Sequence, residues 1–182
     1  KDTFAKVLSF FFALGSWFLL GISFLMPDII QSNLFGNFHL ISPNYWGGLK
    51  IIPLIVTGYF FYGLYINFMV GPVLTKKTRV LMWITLLGAA VSITTNLCLV
   101  PRLGITGAGW AVALSYAAMA SALFAFTQKV YPIGYEYKKL MLMSAVCVAT
   151  VLAACYWHQA VWAEVVLLTL YPAWMGLILK KA

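Results

Sequence analysis

The 182-residue chain is 63% hydrophobic and only 9% charged, with a formal net charge of +8. A soluble domain carries about 25% charged residues, so this composition excludes a water-facing surface and makes the bilayer the solvent. Four acids and two histidines leave little room for acid–base chemistry. The basic residues sit in short clusters between apolar runs, which is the pattern of cytoplasmic membrane loops and not of a nucleic-acid interface.

A spanning helix needs about 20 mostly apolar residues, and six segments qualify: 4–26, 49–74, 80–100, 106–127, 140–157 and 161–179. The expected fold is therefore an all-α integral membrane protein with about six transmembrane helices. The first span should stop at Pro27-Asp28, with a short lateral helix after it carrying Ile29, Ile30 and Leu34 on the bilayer surface. The outer loop 27–48 follows. Its Asp28 and His39 read as solvated loop residues rather than a catalytic pair.

The second span has Pro53 near its outer end and Pro72 near its inner end. Gly63, Asn67 and Gly71 recur every four residues, and Tyr59, Tyr62 and Tyr65 add polar handles to an aromatic surface. Proline and glycine are tolerated in membrane helices where neighbours re-satisfy the backbone. Two readings stay open: tight packing with interfacial tyrosines, or a bendable helix lining a polar cavity. The basic turn Lys76-Lys77-Thr78-Arg79 reads either as a topology determinant beside anionic lipid or as a capture point for a phosphate-bearing substrate.

In the third span Gly88, Ser92 and Asn96 share four-residue spacing, and the Asn96 amide near the outer end calls for a hydrogen-bond partner. The span is expected to end at Pro101, with Gly104 and Gly107 permitting a tight connection. In the fourth span Gly109, Ala113, Ala117, Ser121 and Ala125 form a small-residue stripe for close helix approach. Ala145, Ala149 and Ala153 repeat it in the fifth. The loop before the fifth span places Tyr131, Tyr135 and Tyr137 at headgroup level beside Lys138 and Lys139. A very short turn, His158-Gln159-Ala160, makes the last two spans an antiparallel hairpin.

Orientation follows from lysine and arginine. Lys1, Lys6, Lys76, Lys77, Arg79, Lys129, Lys138, Lys139, Lys180 and Lys181 share one side, and Lys50 and Arg102 the other. Both termini are therefore expected to be cytoplasmic, with residues 96–111 and Arg102 facing outward. Cys98, Cys147 and Cys155 lie inside apolar runs, without metal-ligand spacing, and read as packed free thiols. No metal site, no phosphate-cradling glycine loop and no catalytic constellation is expected, so no cofactor is called for. The start at Lys1, without a signal-peptide pattern, is expected of a piece of a longer membrane protein.

The stretch NLCLVPRLGITGAGWAVALSY over 96–116 resembles the Asn-x-x-Leu-Ile/Val-Pro-x-x-Gly-Ile-x-Gly-Ala-Ala pattern of polysaccharide flippases in the multidrug/oligosaccharidyl-lipid/polysaccharide (MOP) exporter superfamily. The preceding helix pair with its Thr-Lys-Lys-Thr turn, and the following YPIGYEYKKL, extend the resemblance over about 58–140. Gly109 and Val112 stand where the family often has Ala and Thr. The resemblance implies one lobe, C-terminal, of a two-lobed transporter. That transporter carries an isoprenoid-diphosphate-linked oligosaccharide across the cytoplasmic membrane of a bacterium or archaeon by alternating access, coupled to H+ or Na+.

On that reading Lys76, Lys77 and Arg79 capture the diphosphate inside and Arg102 meets it outside, with Tyr59, Tyr62 and Asn67 as further contacts. Asn96, Pro101, Gly104, Gly107, Pro53, Gly63 and Pro72 shape joints between rigid helices. The implied partners are the lipid-linked oligosaccharide, membrane lipid and an N-terminal lobe. Two competing readings are a drug or cation antiporter, which favours a deep carboxylate, and a membrane enzyme of glycan assembly, which requires clustered His, Arg or acids.

Overall fold

The computed structural model describes residues 2–31 and 42–135, with 138, 141, 142, 144, 145, 169, 171, 172 and 176. The described residues are helical and hold no strand, and four stretches are long and apolar enough to cross a membrane: Thr3–Ser23, Trp46–Leu74, Arg79–Leu103 and Ile105–Val130. The large apolar side chains left outside agree with that solvent. Trp83 is 65% exposed and Leu97 72%, and Met82, Leu86 and Ile93 stand beside them, a patch that water would not tolerate on a monomer. This is a multi-pass membrane protein. The fifth and sixth spans, the stripe at Ala145, Ala149 and Ala153, the turn at 158–160, and Cys147, Cys155 and His39 fall wholly or mostly outside the described residues.

The chain divides into two compact units, Lys1–Ile41 with Gly134–Ala182, and Ser42–Ile133. In the first, α1 spans Asp2–Gln31. It buries Ala5, Leu8, Ser9, Ala13, Ser16, Leu20 and Ile30, one face at the helical period. The Ser9 hydroxyl donates to the Ala5 carbonyl. Ser16 donates to the Phe12 carbonyl at 2.6 Å and accepts the Tyr171 hydroxyl at 2.7 Å. Pro27 does not stop this helix. Ile29 and Ile30 continue it and do not start a lateral one, and Leu34 lies outside the described residues.

The second unit opens with a 3-10 helix, Pro43–Ile51, which runs into α2, Ile52–Phe68. Met69 interrupts the path before α3, Val70–Leu74. After the basic turn come α4, Arg79–Leu103, and α5, Ile105–Val130. Helix α5 is the hub: α2, α3, α4 and the 3-10 helix all pack on it.

Glycine makes those approaches possible. A Cβ on Gly58 would meet Val112 at 2.8 Å, and one on Gly109 would meet Leu54 at 3.1 Å. On the other side, a Cβ on Gly107 would sit 2.5 Å from the backbone oxygen of Leu99, and Gly88 lies directly under Met119. The sequence stripe follows this only in part. Gly109 and Ala113 are buried, but Ser121 and Ala125 are exposed. A strict four-residue row rotates by about 40° per step on a helix of 3.6 residues per turn, so it drifts off the contact. The buried set is Gly107, Gly109, Ala111, Ala113, Ser115, Met119, Ala120, Leu123 and Thr127.

The prolines play different parts from those expected of hinges. Pro53 occupies the first turn of α2, where no intrahelical N–H bond is lost, so it starts the helix and does not bend it. Pro101 lies inside α4, which continues to Leu103. The break is at Gly104, whose φ of 58° and ψ of −134° suit a residue without a Cβ. Gly107 already belongs to the first turn of α5, where it serves close packing.

Pro72 is fully buried. Its missing N–H leaves the Phe68 carbonyl without its i+4 donor. Thr127 on α5, itself 0% exposed, fills the vacancy with a hydroxyl bond of 2.7 Å to that oxygen. Gly71 makes room, since a Cβ there would lie 2.5 Å from Thr127 Cγ2.

Thr127→Val is nearly isosteric but removes the hydroxyl donor to the Phe68 carbonyl, and should cost about 1–3 kcal/mol in detergent unfolding. Thr127→Ser, which retains the hydroxyl, should cost less. Gly107→Ala should lower the melting temperature well beyond Gly47→Ala, because nothing lies within 4 Å of a Cβ at Gly47.

Candidate functional site

Because α2 and α4 both lie along α5, a furrow remains between them with α5 as its floor. This groove has a volume of about 520 Å3. Helix α2 contributes Tyr62 and Tyr65 to it, followed by Met69, and α4 contributes Thr85, Gly88, Ala89 and Ser92. Val112, Ser115, Tyr116 and Met119 of α5 form the floor. Tyr62, Tyr65 and Tyr116 lie inside the apolar stretches Trp46–Leu74 and Ile105–Val130, inward from their ends, with Met69 closer to the end of its stretch. The groove tyrosines are thus set deeper than the helix ends, where interfacial tyrosines usually sit.

Three tyrosines dominate it. The Tyr62 and Tyr65 rings are stacked at 6.0 Å with 18° between planes, and Tyr62 and Tyr116 are 5.1 Å apart, tilted by 48°. Tyr59 extends the row outward, 6.2 Å from Tyr116 and 60% exposed. No hydrogen bond among the described residues uses the Tyr62, Tyr65 or Tyr116 hydroxyls. The small hydroxyls are differently placed. Thr85 donates to the Leu81 carbonyl at 2.8 Å and Ser115 to the Val112 carbonyl at 3.0 Å. Their oxygens keep acceptor capacity toward the groove.

The expected contact residues divide between this groove and the ends of the unit. Tyr62 lines the groove and Tyr59 flanks it. Asn67 does not line it, because its amide turns back to the Gly63 carbonyl at 2.9 Å. Asn96 likewise donates to the Ser92 carbonyl of its own helix at 2.9 Å and not across to a neighbour. An amide one turn above a carbonyl finds that acceptor without any tertiary partner.

Lys76, Lys77 and Arg79 are exposed together on the turn between α3 and α4. Arg102 is exposed in the last turn of α4, so the 25-residue helix separates it from them by roughly 37 Å at 1.5 Å per residue. Thr127 packs on Gly71 and Gly109 on Leu54, so Lys129 shares the end of Lys76, Lys77 and Arg79, while Lys50 shares that of Arg102. Lys138 is exposed, and Lys139, Glu136 and Tyr137 lie outside the described residues.

The basic turn closes by a Schellman pattern. The Lys77 N–H donates to the Pro72 carbonyl at 2.9 Å and the Lys76 N–H to the Val73 carbonyl at 3.2 Å. Lys76 takes φ of 56°, the one non-glycine residue with positive φ among the described residues. Helices usually place glycine there, and a side chain in that region costs roughly 1–2 kcal/mol.

No group of three or more His, Cys, Asp or Glu side chains able to hold a metal ion occurs among the described residues. Sequence reading overlooked Thr85, Ser115, Tyr116 and Met119 as groove residues. Tyr116 and Ser115 lay in the recognised stretch 96–116, but only the approach of α2 brings Tyr62 over them. No family model matches the chain, and no curated protein or solved structure matches it significantly.

Lys76→Gly should relieve the left-handed strain and stabilise the unit by about 1 kcal/mol, read as a raised unfolding midpoint. Lys76→Ala should not.

Proposed function

We propose that this chain is one lobe of a transporter that moves a lipid-linked oligosaccharide across a bacterial or archaeal cytoplasmic membrane. The reading takes in the two further spans at 140–157 and 161–179, with both ends cytoplasmic, and requires a second lobe to close the path. The observation that carries it is an uncharged, hydroxyl-rich groove, its tyrosines set inward from the helix ends, in a three-helix unit whose cations are confined to its two ends. Transporters bind cargo near the bilayer midplane and rock rigid bundles around that site. The small-residue packing on α5 supplies such a bundle.

The two ends divide the electrostatic work. A diphosphate carries most of the cargo's charge, and Lys76, Lys77 and Arg79 gather cationic donors where it would be captured. Arg102 offers a cation at the opposite end, where it would be released. Between these ends α2, α4 and α5 carry no charged side chain, so nothing there holds a diphosphate tightly enough to trap it. Lys76, kept in a conformation that favours glycine, fits a charge retained for a purpose. The resemblance over about 58–140 names the cargo class. Coupling to H+ or Na+ belongs to the same reading, as does the absence of catalysis.

The test is transbilayer movement of a fluorescent isoprenoid-diphosphate oligosaccharide in proteoliposomes containing the full-length protein. Replacing Lys76, Lys77 and Arg79 together by Gln should lower the initial rate at least tenfold, with Arg102→Gln slowing release. A protein that moves no lipid-linked saccharide, or a triple variant with unchanged rate, rejects the capture mechanism.

A further inference from the structure

We infer that the Tyr62–Tyr65–Tyr116 groove is a binding site for the uncharged sugar rings of a saccharide, and that it does not hold a diphosphate or a lipid tail. The inference rests on the transporter reading for its place in a cycle, but its chemistry stands on the groove itself.

Three features select the ligand. First, the lining carries no charged side chain, so a diphosphate would be desolvated without compensation, at a cost far above that of a neutral polar group. Second, the tyrosine hydroxyls lack partners among the described residues, at a depth where lipid offers none. An alkyl or isoprenyl chain in the groove would leave them stranded. A sugar ring brings hydroxyls that both donate and accept. It can take the phenol protons and give its own to the Ser115, Ser92 and Thr85 oxygens, whose protons point elsewhere or rotate freely. Third, the ring faces of Tyr62 and Tyr116 form a tilted pair 5.1 Å apart, an amphipathic surface with an apolar body and a polar tip. The C–H face of a pyranose fits the body and its equatorial hydroxyls fit the tips.

The volume of about 520 Å3 is that of a small-ligand site. The groove therefore grips a few sugar units of a longer chain while the carrier's diphosphate is held elsewhere.

The experiment uses the full-length protein in nanodiscs and saturation-transfer NMR with two probe classes. One is a panel of free neutral trisaccharides built from glucose, galactose or N-acetylglucosamine. The other is farnesyl diphosphate, with farnesol as the tail alone. At least one trisaccharide should receive saturation on its C–H face. Tyr62→Leu combined with Tyr116→Leu should weaken it about tenfold, one decade of affinity. The Tyr62→Phe and Tyr116→Phe pair, which preserves packing, should weaken it less but measurably, with an unchanged melting temperature as the folding control. Farnesyl diphosphate binding should ignore the tyrosine changes.

Absence of saturation across the panel overturns the inference. So does saccharide binding indifferent to both tyrosine pairs, or farnesol binding that depends on the tyrosines. Tyrosine-dependent sugar binding without flipping in proteoliposomes would leave this site standing and reject the transport reading. Flipping indifferent to both pairs, with no sugar bound, would do the reverse.

Discussion

Two helices must approach the backbone of α5 from different sides, in a solvent that gives them no hydrophobic reason to do so. Lipid tails are as apolar as leucine, so helix association in a membrane depends on dispersion and on hydrogen bonds made at short range. Glycine is the residue that shortens the range. Gly58, Gly71 and Gly109 admit one neighbour, Gly88 and Gly107 the other. The groove follows from this arrangement, because helices lying on two faces of a third leave a furrow over the strip between them.

Backbone accounting governs the rest. Pro72 removes a donor that bilayer depth cannot replace with water, and the structure supplies one from the side chain of another helix, Thr127. Elsewhere polar side chains satisfy their own donors on the carbonyl one turn back. Thr57 donates to the Pro53 carbonyl, Thr75 to that of Gly71, and Asn67 and Asn96 each to the turn below. The Thr127 bond, by contrast, crosses from one helix to another. It joins the interrupted α2–α3 path to the hub helix, so that a break in the helix does not become a loose joint.

The cations of the second unit are kept away from the groove along the helix axis. Cations occupy the ends of the second unit, and the middle offers aromatic faces and neutral polar atoms. Under the proposed transport role, that separation assigns capture of the carrier's charge and contact with its sugars to different places.

Hydropathy determined the positions of the second, third and fourth spans to within a few residues, because about 20 apolar residues have no other stable fate. It also fixed the absence of charge between their ends and the clustering of lysines at the turn 76–79. Pro27 and Pro101 signal helix ends in sequence, yet both helices continue, since a membrane helix has no better alternative for its remaining backbone groups. The small-residue stripe of the fourth span drifts off its contact, with Ser121 and Ala125 exposed. Only the tertiary structure decided that Tyr62 meets Tyr116 and that Thr127 answers Pro72. Those outcomes depend on which helix faces press together and how closely, and that is set by pairs of residues far apart in the chain.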